Sequence, residues 1–254
     1  MIECGSLEYA QARLQARHGQ RADDAAWQRL ETAREFAALL DAARSSPLRG
    51  WVVGLTAHST AHEIEAGLRA HWRSTVAEVA GWMPAAWRPA LAWCALLPLL
   101  PALQHLARGG AVAPWMAQEP LLRPLYAAPP SARAEALAST AGAALAPAWP
   151  APQNLDSAWQ QEWQRRLPRP PFGAHGDSGD SGDSLQALVA TLQACGGATL
   201  QRRALKERLA RCLRRAVAEP AAAFAHLALC ALDLERLRAA LLGRALFAPL
   251  REAA

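Results

Sequence analysis

His58 and His62 stand four residues apart, the spacing at which two imidazoles on one helix face share a metal ion. Thr60-Ala-His-Glu63 has the form of a capping box, in which the Thr hydroxyl accepts from the backbone three residues on and Glu63 reaches back. That places a helix start at Ala61 and leaves His58 outside it, and no third ligand is evident nearby, so no metal is expected. Asp177, Asp180 and Asp183 recur every three residues in the Gly-Asp-Ser stretch, whereas an EF-hand loop needs oxygen ligands at alternate positions and a closing Glu. The stretch reads as a flexible hinge, with Asp183 or Ser184 free to cap the helix after it. Cys4, Cys94, Cys195, Cys212 and Cys230 are odd in number and form no C-x-x-C pair, which favours buried free thiols in a reducing compartment.

No phosphate-binding glycine loop, dinucleotide fingerprint, nucleophile elbow or H-E-x-x-H occurs, and the acidic residues lie scattered on presumed helix surfaces. No nucleophile can be matched with a base, and the expectation is a non-catalytic protein without cofactor or small-molecule substrate. Two features remain as binding surfaces. Trp82, Trp87 and Trp93 surround Pro84 and Pro89; they suit either a ligand cage or, more simply, the packed joint of two helices. Arg202, Arg203, Lys206, Arg208, Arg211, Arg214 and Arg215 form a basic face opposite Leu205, Leu209, Cys212, Leu213 and Val217. Without a preceding helix-turn-helix and with few base-reading side chains, that face points to solvent or to protein rather than to nucleic acid.

The elements that would carry these residues are helical. Helices are expected from Tyr9 to Gly19, from Ala25 to Arg44 behind Asp23 and Asp24, and from Ala61 to Trp82 with Ile64, Leu68, Trp72, Val76 and Val79 on one side. Trp51 to Leu55 is either strand-like or a buried connector. Eleven prolines between residues 111 and 175 chop that region into short helices, the clearest at 131–145 and 156–167, and its tryptophans argue for a connector that packs. Further helices are expected from Leu185 to Cys195, from Leu200 to Val217 and from Ala221 to Ala248. The last has Leu227, Cys230, Leu234, Leu237 and Leu241 at helical spacing; apolar residues lie on nearly every side of its first half, and Asp233/Arg236 and Glu235/Arg238 are placed to pair along the second.

With 52% hydrophobic residues, 254 positions suffice for one large or two small cores. The fold class is all-α: helical bundle units, with a Pro/Trp-rich connector, divided as 1–110, 111–184 and 185–254. Residues 185–254 carry 11 basic against 5 acidic side chains, which exceeds the net charge of +5 for the whole chain and localises a positive surface there. The apolar run from Leu91 to Leu103 is shorter than the roughly 20 residues of a bilayer span and contains Pro98 and Pro101, so it reads as core. The N-terminus lacks a basic segment followed by an apolar run, which favours a cytoplasmic protein.

Both ends of the chain resemble one family. Asp233-Leu-Glu-Arg-Leu237-Arg238 followed by Gly243 is similar to the acidic-x-x-x-Leu-Arg-x-x-x-x-Gly signature of the rotary V/A-type ATPase subunit d family, which has counterparts in archaeal and bacterial enzymes. Tyr9, Ala12, Arg13 and Arg17 resemble its opening Tyr-x-x-Ala-Arg helix, and Phe36 to Leu40, Ile64-Glu65 and Leu68-Arg69 follow in similar order. The middle of the chain has no counterpart in that pattern. The resemblance implies helical units repeated as a funnel-like array, partnered by the central-stalk subunits and the membrane rotor ring, peripheral at the inner face of the membrane and coupling torque to ion transport without chemistry of its own. Tyr9, Arg13, Arg17, Glu65, Arg69, Asp233, Leu237, Arg238 and Gly243 would then be interface or structural positions. The alternatives are an unrelated helical adaptor, or a nucleic-acid binder using the basic helix.

Overall fold

The computed structural model describes residues 6–168, 185–190 and 202–252, with side chains described to residue 246. The fold is all-α, and no strand occurs among the described residues. The chain divides into two compact units, Met1–Arg88 with Arg169–Ala254, and Pro89–Pro168. Composition divides it near 110 and 184, but packing gathers the two ends into one body. The expected hinge at 173–184 lies outside the described residues.

The larger unit is built from long helices with explicit caps. Helix α1, Leu7–Gly19, starts at Ser6, whose hydroxyl accepts from the Tyr9 amide at 3.1 Å. Helix α2, Asp24–Thr32, starts at Asp23, whose carboxylate accepts from the Ala26 amide at 2.7 Å. Helix α3 is Phe36–Arg44, so the single helix expected from Ala25 to Arg44 is two. Nothing in Ala33-Arg34-Glu35 is a strong helix breaker; the break is held by Arg244, from the far end of the chain. The segment after α3 is a 3-10 turn, Pro47–Val52, which settles the strand-or-connector question as a connector. Helix α4, Ala61–Trp82, begins with the expected capping box, and Ile64, Leu68, Trp72, Val76 and Val79 are buried along it.

The smaller unit has short helices: α5 (Arg88–Trp93, entering from the boundary), α6 (Leu100–Ala107), α7 (Arg123–Ala127), α8 (Arg133–Ala138) and α9 (Leu155–Arg166). Pro101, Pro114, Pro124, Pro130 and Pro152 sit in the first turn of their helical segments, where a missing N–H costs nothing. The prolines that interrupt the sequence pattern thus begin structure as much as end it. Leu91, Leu103, Leu122, Leu125, Leu137, Leu145 and Leu155 are almost wholly buried. The helical run Ala85–Ala107 is long and apolar enough to cross a membrane by length and composition alone, with mean hydropathy 1.5 in its most apolar window, and half of that window is buried within the protein.

Trp93 and Trp159 clasp one another in this unit. Trp93 Nε1 donates to the Trp159 carbonyl at 3.0 Å and Trp159 Nε1 to the Trp93 carbonyl at 3.3 Å, while the Arg166 guanidinium lies 4.3 Å over the Trp93 ring. The indoles act as packing with satisfied N–H groups.

The chain then returns to the larger unit. Helix α10 is described over residues 185–190 and buries Leu188. The basic helix α11, Arg202–Arg215, precedes α12, Ala221–Glu252, which is the axis of this unit and packs against α1, α3, α4 and α11. Residues 221–227 are all buried, so α12 starts inside the core, and the stripe continues through Leu234, Leu237 and Leu241 as it emerges. Trp87, also in this unit, meets Phe224 edge-on with centroids 6.5 Å apart. Helix α11 buries Leu209 and Leu213, but it ends at Arg215 and leaves Val217, expected on the apolar face, 64% exposed. The reversal into α12 places Ala218 at φ 54°, a left-handed conformation that costs a non-glycine residue roughly 1–2 kcal/mol.

Candidate functional site

The residues singled out at the two ends of the sequence lie on α1, α4 and α12, three helices that pack together. Asp233 is buried, and Arg21, just beyond α1, reaches it with Nη2 at 2.6 Å and Nε at 2.9 Å, with a further bond from Nη2 to the Leu229 carbonyl at 3.1 Å. Burial raises the Asp233 pKa, and the Arg21 charge opposes that shift. The pair is one tenth exposed on both sides, so each charge depends on the other to remain ionised out of water.

A second cluster lies between α4 and α12. Glu65 accepts from Arg238 Nε at 2.6 Å and from Arg69 Nη1 at 3.4 Å, and the hydrogen bond to Glu65 raises the Arg238 pKa. Of the nine expected positions, Glu65 and Arg238 join α4 to α12 and Asp233 ties α12 to Arg21, while Arg69 pairs with Glu65 along α4 and Leu237 is wholly buried. Tyr9 and Arg13 form a pair on the α1 surface, Arg13 Nε donating to the phenol at 3.1 Å. Arg17 pairs with Glu78 of α4 and lies 6.0 Å over the Trp82 ring. Gly243 has open space where a side chain would stand, so packing among the described residues does not require glycine there.

The charge pairs expected along α12 form between helices instead. Arg236 bonds Glu31 at 2.6 Å and stacks 4.4 Å over Trp27, Glu235 takes Arg202 at 2.9 Å, and Arg238 goes to Glu65. The long, flexible arginine side chain can reach across to a neighbouring helix as well as along its own. Arg244 has the largest consequence and no motif marks it. It donates to the Ala33 carbonyl at 2.6 Å and the Glu31 carbonyl at 2.9 Å, which satisfies the last turn of α2 and stabilises the break before α3.

The basic face of α11 is divided. Arg202 bonds Glu235, Arg203 bonds Glu207 at 3.1 Å and Lys206 approaches Asp24 at 3.5 Å. Arg208, Arg211, Arg214 and Arg215 are exposed and have no ion-pair partner among the described residues. His58 lies in the turn before α4 and His62 in its first turn, both exposed, and no three potential metal ligands converge among the described residues.

His226 and Cys230, one turn apart on α12, form a contact that no motif marks, although their four-residue spacing is visible in the sequence. Nε2 and Sγ are 3.6 Å apart. Burial pushes the Cys230 thiol up to about 12 and the His226 imidazole down to about 4, the latter reinforced by Arg21. Both groups are neutral near pH 7, the reverse of the thiolate–imidazolium pair that a cysteine nucleophile needs. Burial likewise holds Cys94 up to about 12 and raises Cys212.

The same face of the unit is open. A cleft of about 800 Å³ lies between the end of α1, the 44–51 turn, α4 and the first half of α12, with Arg17, Arg21, His71, His226 and Asp233 in its lining. No family model matches the chain, and comparison with curated proteins and with solved structures finds no match.

Proposed function

We propose that the chain is a non-catalytic coupling subunit of the kind that joins the central stalk of a V/A-type rotary ATPase to its membrane rotor ring during ion transport. The observation that carries this reading is the convergence of residues far apart in sequence. The opening helix with Tyr9, Arg13 and Arg17, the α4 pair Glu65 and Arg69, and the closing Asp233, Leu237 and Arg238 all fall on three helices that pack together. Interhelical ion pairs suit a part that must transmit force, because they oppose sliding of one helix along another with directional contacts. The repeated, funnel-like arrangement belongs to this proposal, as does a place at the inner face of the membrane.

Purification of the full chain from native membranes under mild detergent is the direct test. Recovery with stalk and ring subunits is expected; recovery free of every rotary ATPase subunit would overturn the reading. A second reading, a helical adaptor for an acidic protein, draws on the four unpaired arginines of α11 and predicts a different partner in the same experiment. A nucleic-acid role draws less support, because Arg202, Arg203 and Lys206 are already engaged by carboxylates within the chain.

A further inference from the structure

The densest block of unpaired charge among the described residues lies in the second half of α11. The first half is neutralised: Arg202 bonds Glu235, Arg203 bonds Glu207 and Lys206 meets Asp24. Beyond it, Arg208, Arg211, Arg214 and Arg215 are all exposed, and none has an ion-pair partner among the described residues. Glu207, the only acidic residue of α11, is held by Arg203. Glu219, the next along the chain, keeps its Oε2 buried and without a hydrogen-bond partner instead of reaching these arginines.

The four share one side of the helix. An α-helix turns about 100° per residue, so their side chains leave it within an arc of about 120°, over about 10 Å of its axis. The arc is centred opposite Leu209 and Leu213, which are buried on the side that packs against α12. The guanidiniums therefore project outward together. Arg214 and Arg215 also complement the helix dipole in the last turn, but Arg208 and Arg211 precede that turn and have no such role. The positive field reaches the end of α1: burial lowers the His18 pKa, and the charges of Arg21, Arg214 and Lys206 lower it further.

The composition of this face selects among anionic partners. A protein interface is organised around a desolvated core with aromatic or large apolar anchors, and charge is depleted there. The arc carries no such anchor; the one large apolar side chain nearby is Val217, 64% exposed just past the end of α11. Nucleic-acid surfaces add amide side chains that read base edges or aromatic rings that stack on bases, and the arc has neither. A bilayer with acidic headgroups asks for neither. Its phosphates and carboxylates are mobile in the plane, so they can gather under four guanidiniums at once, and Val217 can rest at the headgroup boundary.

We propose that the outer face of α11, with Arg208, Arg211, Arg214 and Arg215, docks the chain on a membrane surface rich in acidic lipid. The contact is electrostatic and peripheral, because the apolar stripe of α11 is used within the fold and cannot insert. It goes beyond the coupling reading and needs no rotary partner: a chain that failed to bind vesicles would leave the co-purification test standing, and the reverse holds as well.

Sedimentation of the full chain with vesicles tests it, using phosphatidylcholine alone and phosphatidylcholine with phosphatidylserine in a two-to-one ratio. Binding is expected only to the vesicles that contain phosphatidylserine, weaker at physiological than at low ionic strength. Arg211→Gln should lower the affinity about fivefold and Arg208→Gln with Arg211→Gln roughly twenty- to thirtyfold, whereas Arg211→Lys should bind nearly as the wild type does. These side chains are exposed, so the variants should keep the wild-type helical circular dichroism. Arg49→Gln removes the same charge from an exposed arginine of the 44–51 turn and should leave binding nearly unchanged. Absence of binding, equal binding to phosphatidylcholine alone, or an equal loss in Arg49→Gln would each overturn the proposal. Tighter binding to duplex DNA than to the vesicles at matched phosphate concentration would overturn it too, and would assign the face to nucleic acid.

Discussion

The two units solve the same problem, burying Ala- and Leu-rich helices, by different means. In the larger unit long helices are pinned by ion pairs between residues more than 170 positions apart, such as Arg21 with Asp233 and Arg238 with Glu65. In the smaller unit every helix is short and begins at or near a proline or a 3-10 turn, and its most specific link is the pair of indole N–H groups given to backbone carbonyls by Trp93 and Trp159. Charged pairs specify which long helices meet and in what register, because a buried charge without its partner is costly. Short helices have little register to specify, and a large apolar ring with one satisfied donor suffices.

The comparison breaks most visibly at Asp233. Asp233→Ala leaves Arg21 buried and unpaired and should cost about 3–5 kcal/mol in denaturant unfolding of the larger unit. The double replacement Arg21→Met with Asp233→Leu should recover most of that loss, since the desolvation of both ions is then avoided. A double variant as unstable as the single one would show that the pair contributes more than mutual neutralisation.

Acid should separate the units next. His226 in the folded chain has its pKa depressed to about 4 from an ordinary value of 6.5, so the unfolded chain binds more protons between those values. Stability is therefore full above pH 6.5 and falls as the pH drops toward 4, by about 3 kcal/mol from this group alone. The depressed His18 and His71 act in the same direction, and the raised Asp233 pKa opposes them at the acid end. His226→Gln should flatten the slope when unfolding midpoints are measured across this range; an unchanged slope would assign it to the other groups.

The smallest effect belongs to the clasp. Trp93→Phe removes one indole N–H and the packing surface beneath Arg166, and should cost about 1–3 kcal/mol. Hydrogen exchange should show the loss in α5, α6 and α9 while α4 and α12 keep their protection. Loss spread evenly over both units would mean that they unfold as one.

Most helix starts and the fold class were legible in the sequence because they are local. Ser, Asp and Thr side chains satisfy amides two or three residues away, so Asp23 and the Thr60/Glu63 box could be read directly, and apolar spacing marked Ile64 to Val79 and Leu227 to Leu241 as buried stripes. The burial of the first half of α12 all round was equally plain in its composition. What could not be read was any choice among partners of the same kind. Twenty-six arginines offered many possible ion pairs, and sequence spacing favoured Asp233 with Arg236 and Glu235 with Arg238, whereas the folded chain joins Glu235, Arg236 and Arg238 to other helices and Asp233 to Arg21 beyond the end of α1.

The sequence by itself determined that this protein is helical, where most helices begin and which of their faces are apolar, since capping and periodicity act over a few residues. Tertiary structure alone decided that the two ends of the chain form one unit, that α2 and α3 are separate helices, and that His226, Cys230 and four arginines surround a single cleft. Those outcomes depend on through-space contacts: the α2 break is held by Arg244 from more than two hundred residues away, and a side chain that reaches so far leaves no local pattern to read.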